Sequence, residues 1–112
     1  MVFTANQVTA FFEEPGQMAI PHNTRASLVA EGIDTIDALD DFSEADFKQV
    51  ASNIRRAQQP VVLGAKSIKR LNIAATAMQY YRLVSHVPTH SNMHYENCLR
   101  DFYEQWEHLL KK

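Results

Sequence analysis

The segment from about residue 65 to residue 85 constrains the fold most, because apolar side chains cover most of its surface when it is drawn as an α-helix. Its polar residues collect into one narrow stripe. A helix that is apolar on most sides has to be surrounded by other helices, so the spacing predicts the central helix of a bundle. One apolar face carries Ile68, Leu71, Ala75 and Met78, and a second carries Ile73, Ala77, Tyr80 and Val84.

Proline and glycine residues divide the chain before this helix into segments with helical spacing. Proline suits a first helical turn and glycine suits the position after a helix end. The first predicted helix covers about residues 4–14, with Thr4 as its N-cap. The second covers residues 21–32, and we expect it to bury Leu28 and Val29.

The next part of the chain predicts a short turn followed by a capped helix. Asp34 or Thr35 caps the turn. Ser43 caps the helix, and Asp46 at the third helical position completes a form of the capping box. The apolar residues that follow at i, i+3, i+4 and i+7 are Phe47, Val50, Ala51 and Ile54, which share one helical face.

The remaining segments predict a linker and a C-terminal helix. Residues 57–64 are typical of an extended linker, in which Val-Val-Leu is also compatible with a short strand. Thr89 or Ser91 opens a last helix over about residues 89–111. Its apolar residues repeat with the 4-3-4-3 spacing of a packed helix seam. They are Tyr95, Leu99, Phe102, Trp106 and Leu109, and we expect Trp106 to lie in the core.

Together these segments predict an all-α fold, a compact bundle of five or six helices in a single domain of residues 1–112. Residues 1–56 form an acidic helical subregion, residues 57–64 the linker, and residues 65–112 two long helices. With 112 residues, 46% of them apolar, the chain can bury a core without disulfides. One cysteine, Cys98, favours a reducing intracellular compartment such as the cytoplasm. No apolar run approaches the roughly 20 residues of a membrane span, so we expect no membrane partner.

Charge is distributed unevenly along the chain. Residues 1–46 contain nine acidic residues and one basic residue, Arg25, whereas residues 47–95 contain seven basic residues and no acidic one. This asymmetry favours contact with a charged partner, or with a second copy of the chain arranged head to tail. The alternative is that the acidic half folds against the basic half and neutralises it within one molecule.

The basic residues around the linker are the candidate contact site. Two arginines close one predicted helix, and a cluster with a serine opens the next, where free backbone N–H groups favour anions. We predict that this site binds an acidic protein surface or, as the second choice, nucleic acid. The residues are Arg55, Arg56, Lys66, Ser67, Lys69 and Arg70.

No motif predicts catalysis, a cofactor or a metal. Leu-Gly-Ala-Lys-Ser at residues 63–67 has one glycine where a nucleotide-binding P-loop needs two. His86, His90, His94 and Cys98 are spaced by four, but Pro88 separates the first from the predicted helix. His90 and His94 alone supply two of the four ligands of a structural zinc site, so we expect no metal.

Several blocks of the sequence resemble known families. Residues 18–55, a helix, a Gly-Ile-Asp-Thr turn and an acid-capped helix, are similar to SAM and helix-hairpin-helix modules. FFEEPGQMAIPHNT, EGIDTIDALDDF, VASNIRR, VVLGAKSIKRL and FYEQWEHL resemble a gag-like segment of copia-type retrotransposon polyproteins from diatoms and other marine algae. The second resemblance implies a marine eukaryotic or viral source and a role in a particle or on a template.

The sequence therefore predicts a non-enzymatic protein-interaction or assembly domain that associates with itself or with another protein. The alternative is a nucleic-acid-associated helical module that uses the basic stretch of residues 48–82. An enzyme with catalytic groups scattered along the sequence is a third, less favoured class.

Overall fold

The prediction of an all-α bundle is confirmed. The computed structural model describes residues 3–98, and in that range it contains helices and no strand. Its buried apolar side chains form one continuous core. The elements are α1 (Ala5–Glu13), α2 (His22–Ala30), a 3-10 helix (Asp37–Asp41), α3 (Glu44–Arg55), α4 (Ala65–Leu83) and the short α5 (Tyr95–Asn97).

Side-chain caps fix the starts of α1 and α3, as predicted. The Thr4 hydroxyl accepts the backbone N–H of Gln7 at 3.1 Å, and the Gln7 side chain accepts the N–H of Thr4 at 3.0 Å. Ser43 and Asp46 exchange the same pair of bonds, at 3.2 and 2.9 Å. Each capping box satisfies backbone donors that have no partner within the helix, so these two helices start where the sequence indicates.

Helix α4 is the central element. It packs against the 3-10 helix, α3 and α5, and most of its middle is buried. The predicted apolar face of α3 is also confirmed, since all four of its residues are buried. Small residues let other elements approach α4 closely: Ala74, Ala75 and Ala77 are at most 1% exposed.

Two predicted core positions are wrong. Val29 is 44% exposed, because α2 buries one narrow face through Thr24 and Leu28 and the next residue points about 100° away from it. Val84 is 50% exposed, because α4 ends at Leu83, one residue before its apolar pattern does.

The linker has no regular structure but is held against the core. Val61 donates its backbone N–H to the carbonyl of Ile54 at 3.2 Å, and Leu63 is 3% exposed. Between them Val62 projects outward and is 67% exposed. The segment therefore forms a loop that returns along the last turn of α3, and the alternative of a short strand is not realised in it.

The last helix starts later than predicted. Thr89 does accept the backbone N–H of Asn92 at 3.1 Å, but it caps a turn, and the helix begins at Tyr95. Pro88 precedes this turn and has no N–H to offer to a helix. The seam positions Leu99, Phe102, Trp106 and Leu109, and the expectation of Trp106 in the core, lie outside the described residues.

Candidate functional site

The predicted basic residues lie at two helix ends, the end of α3 and the start of α4. Arg55 is the last residue of α3 and Arg56 is its C-cap, and both are exposed. Lys66 and Lys69 lie in the first turns of α4 and are exposed, whereas Ser67 between them is half-buried. Lys66 and Lys69 are three residues apart, a spacing that places them on the same side of the helix.

A cleft of about 310 Å³ lies between the starts of α3 and α4. Lys48 and Lys69 line it from opposite helices, together with Glu44. Glu44 forms a 3.2 Å ion pair with Lys48, one turn along α3. Arg55 and Arg56 do not line this cleft. The structure therefore places Lys48 and Lys69 around the cleft and the two arginines at the far end of α3.

Arg70 is committed to contacts within the chain. Its guanidinium donates to the carbonyl of Gln17, and to that of Pro15 at 3.3 Å. It also lies over the ring of Tyr95, 4.6 Å from the ring centre. Gln17 in turn accepts the backbone N–H of Tyr95 at 2.8 Å. Arg70 therefore fastens the loop after α1 to α4 and α5, through Nη1 and the face of its guanidinium.

Internal neutralisation accounts for only part of the basic charge. Lys48 pairs with Glu44, and Arg82 pairs with Asp40. Four other cations between residues 47 and 95 are exposed and form no ion pair or hydrogen bond within residues 3–98. We call these four the basic end: Arg55, Arg56, Lys66 and Lys69.

Acidic residues gather at the other end of α4, around the 3-10 helix. The Gln79 side chain donates to the carbonyl of Asp40 at 3.3 Å, and Arg82 contacts the carboxylates of Asp40 and, at 3.9 Å, Asp41. Arg82 is thus one guanidinium among several carboxylates. We call the carboxylates the acidic end: Asp34, Asp37, Asp40 and Asp41.

Asp40 is the unusual member of the acidic end. Its side chain is 2% exposed, while that of Arg82 is 68% exposed. One carboxylate oxygen, Oδ2, meets Arg82, and the other, Oδ1, is buried without a hydrogen-bond partner in the described structure. Burial raises the pKa of Asp40 above its ordinary value, and it outweighs the lowering effect of Arg82.

Asp40 lines a second cleft, of about 330 Å³. Asp37 and Arg82 share its polar side, and its apolar wall includes Met78 and Tyr81. The ring of Tyr81 lies 5.3 Å from that of His86, which also lines the cleft. Three large apolar side chains next to the cleft are half to two-thirds exposed: Leu83, Val84 and Val87.

This second cleft was not predicted from the sequence. Its acids are close together in the chain, but Arg82 and His86 come about 40 residues later. The sequence feature that comes nearest to indicating this cleft is the apolar pattern of α4. The pattern continues to Val84, whose side chain the helix does not bury. An apolar pattern that continues past the end of its helix indicates apolar side chains that are exposed and can form a contact surface.

The histidines do not form the helical pair that their spacing suggested. His90 lies in a turn and His94 is the N-cap of α5, so the two do not share a helix. Within residues 3–98, no three His, Cys, Asp or Glu side chains are grouped to hold a metal. Cys98 is buried, and its Sγ lies 3.6 Å from the carbonyl of Asn92.

No family model matches the chain, and no curated protein or solved structure matches it. Among the described residues, no helix has the length and apolar character needed to span a bilayer.

Proposed function

We propose that this chain is a non-enzymatic assembly domain that self-associates head to tail, with the basic end of one copy against the acidic end of the next. The proposal rests on the positions of the unpaired charges. The basic end carries four cations with no ion pair in the described structure, and the acidic end carries four carboxylates, of which Asp40 and Asp41 contact Arg82.

The separation of the two ends is the observation that carries the proposal. Lys66 and Arg82 lie at opposite ends of α4, about 24 Å apart along its axis at 1.5 Å per residue. At physiological salt, charges are screened over about 8 Å. Lys66 therefore cannot neutralise the carboxylates that surround Arg82 in the same molecule. A second copy brings the two sets together.

Exposed apolar side chains support the same pairing of surfaces. Val62 projects from the linker that joins the two parts of the basic end. Val87 lines the cleft at the acidic end, and Leu83 and Val84 are exposed at the end of α4. Contacts between proteins combine a desolvated apolar centre with a polar rim, and charge complementarity fixes their orientation. Each end of this molecule offers both components.

A contact between two different surfaces is heterologous, so it forms rings or open chains rather than a closed twofold dimer. An assembly role of this kind agrees with the resemblance to gag-like segments, which remains a hypothesis about origin. The proposed function does not depend on that resemblance.

Nucleic-acid binding is the second candidate, and the four unpaired cations of the basic end favour it. Each phosphate contact contributes about 0.9 to the slope of log affinity against log salt on duplex DNA. Four cations would give a slope of about 3 to 4, which describes weak binding at physiological salt. The acidic end repels the same ligand.

Light scattering as a function of salt separates the two candidates. We expect oligomers at low salt that dissociate towards 1 M salt, where screening acts within about 3 Å. Lys66→Gln/Lys69→Gln should weaken association by about two- to thirtyfold, since exposed charge pairs contribute roughly 0.2 to 1 kcal/mol each. Lys48→Gln is the control, because it removes an exposed lysine that is already paired with Glu44.

Two outcomes would contradict the proposed function. One is a monomer at every salt and protein concentration. The other is an oligomer that salt does not dissociate and that Lys66→Gln/Lys69→Gln leaves unchanged. A monomer that binds RNA or DNA with a salt slope near 3 to 4 would establish the second candidate instead.

A further inference from the structure

The cleft at the acidic end has an unmet requirement for a hydrogen-bond donor. Oδ1 of Asp40 is buried and has no hydrogen-bond partner within residues 3–98, although Oδ2 of the same carboxylate meets Arg82. A buried carboxylate oxygen without a donor costs free energy, because its hydrogen bonds to water are lost and no hydrogen bond within the protein replaces them. Asp37 lines the same cleft and is half-buried.

The cleft also has excess negative charge. Asp37 and Asp41 both act electrostatically on Asp40, and Arg82 is the one arginine or lysine among the described residues that line the cleft. A further cation would reduce the repulsion between these carboxylates. An additional anion would increase it, so phosphate and acidic peptides are poor candidates.

Most of the rest of the cleft wall is apolar and aromatic, and its other polar residues are Ser85 and His86. Met78, Tyr81, Val87 and Pro88 line it, in a space of about 330 Å³. This combination suits a cation carried on an apolar stem. Arginine fits better than lysine, because its planar guanidinium can bridge two carboxylate oxygens, stacks on aromatic rings and is less strongly hydrated.

We propose that this cleft is the binding site for an arginine side chain, Arg55 or Arg56, from the basic end of a second copy. The guanidinium would bond the carboxylate of Asp37 and, after a shift of the Asp40 side chain that exposes it, Oδ1 of Asp40, while its stem covers the apolar wall. The inference rests on the proposed head-to-tail contact and identifies the side chain that anchors it.

The segment that carries these arginines is accessible. Residues 55–60 are all exposed, from the end of α3 through the first part of the linker. Neither arginine has an ion pair or hydrogen bond within residues 3–98, so no internal contact has to break before binding. Lys66 and Lys69 lie farther along the chain and would act as rim charges that steer the encounter.

A peptide titration tests the site directly. The probe is a synthetic peptide of residues 52–61 with blocked ends, and its control carries Arg55→Gln/Arg56→Gln. The receptor is the full chain with the same two substitutions, so that its own arginines do not compete for the cleft. NMR chemical shifts report both the affinity and the location.

We expect the peptide to shift the signals of Tyr81, Arg82 and His86, and the glutamine peptide to leave them in place. Asp37→Asn in the receptor should weaken binding about tenfold, which corresponds to about 1.4 kcal/mol. Glu14→Gln, which removes an equal charge at an exposed position outside the cleft, should change binding less than twofold. The side chain of Asp37 is half-buried, and its carboxylate makes no hydrogen bond in the described structure. The Asp37→Asn variant is therefore expected to fold.

The inference is overturned if both peptides bind equally, if the shifts fall outside the cleft, or if Asp37→Asn has no effect. Its failure is distinct from failure of the proposed function. A protein that self-associates with salt dependence but does not bind the peptide at this cleft retains the proposed function and loses the arginine anchor. A monomeric protein whose cleft binds the peptide loses the proposed function and keeps the arginine-binding site.

Discussion

At the scale of single residues, Ala19 and Ser85 adopt a backbone conformation that favours glycine. Both have φ of 56°, in the left-handed region where a Cβ is crowded. Ala19 lies in the turn that leads from α1 to α2, and Ser85 follows the end of α4. Each connection is set by the packing of the helices on either side, which holds these residues in place.

The backbone at Ala19 predicts an unusual stabilising substitution. We expect Ala19→Gly to raise the free energy of unfolding by about 1 kcal/mol, because it relieves strain that exceeds the entropic cost of glycine. Ala10→Gly, the same chemical change inside α1, should lower it by about 0.5 to 1 kcal/mol. Urea denaturation of both variants measures the difference. Equal destabilisation by both would show that Ala19 is not strained.

Glu13 is expected to make the stability of the protein depend on pH. Its carboxylate accepts a bond from Arg25 at 2.9 Å and lies 3.2 Å from His22. These bonds, Arg25 first, lower the pKa of Glu13 below its ordinary value. A carboxyl with a lowered pKa in the folded state stabilises the fold above its ordinary pKa, and this is lost as pH falls through the folded pKa.

Glu13→Gln should therefore cost stability near pH 7 and progressively less below about pH 4. The unfolding free energies of wild type and variant, measured by denaturant from pH 7 to pH 3, should converge at acid pH. Glu14→Gln is the matched control, because Glu14 is exposed and has no ion pair within residues 3–98. A Glu13→Gln difference that is constant across this range would rule out the role assigned to Glu13.

The role of a residue could be predicted from the sequence when its partners are near in the chain, and could not when its partners are far away in the chain. The caps Thr4 and Ser43 act over three residues, so the sequence alone identifies them. Arg70 was assigned to the basic surface because its neighbours in sequence are basic. Its partners Pro15 and Gln17 lie more than 50 residues away, and no local pattern indicates them.

At the scale of elements, the central position of α4 could be predicted because apolar residues on most sides of a helix require neighbours on most sides. The end of α4 could not be predicted, because Val84 continues the apolar pattern beyond Leu83. Similarly, α2 has two adjacent apolar residues, Leu28 and Val29, and only packing decides which one is buried.

The small residues of α4 predict that the effect of a larger side chain on stability depends strongly on its position along the helix. Ala74 is fully buried, whereas Ala65, at the start of the same helix, is exposed. Ala74→Leu should destabilise the protein by about 1 to 3 kcal/mol, because the added atoms have no space against the neighbouring elements. Ala65→Leu should change stability by less than about 0.5 kcal/mol. Thermal unfolding followed by circular dichroism measures both, and equal effects would contradict close packing around α4.

At the scale of the whole molecule, the charge asymmetry was visible in the sequence and its arrangement in space was not. The order of acids and bases along the chain left internal neutralisation and contact between copies equally open. The structure shows that the length of α4 separates Lys66 and Lys69 from Arg82 and the carboxylates it contacts, and that only Lys48 and Arg82 of the basic stretch form ion pairs within the described residues. The Asp40 cleft also depends on this long-range arrangement.

A charge-swap experiment tests head-to-tail association most directly. One variant, Arg55→Glu/Arg56→Glu/Lys66→Glu/Lys69→Glu, reverses the basic end, and the other, Asp34→Lys/Asp37→Lys/Asp41→Lys, reverses the net charge of the acidic end. Each variant alone presents two ends of the same sign, so each should sediment as a monomer at low salt while wild type associates. An equimolar mixture should associate again, because every reversed end then meets an end of opposite sign. Two variants that associate as wild type does, or a mixture that stays monomeric, would contradict the account.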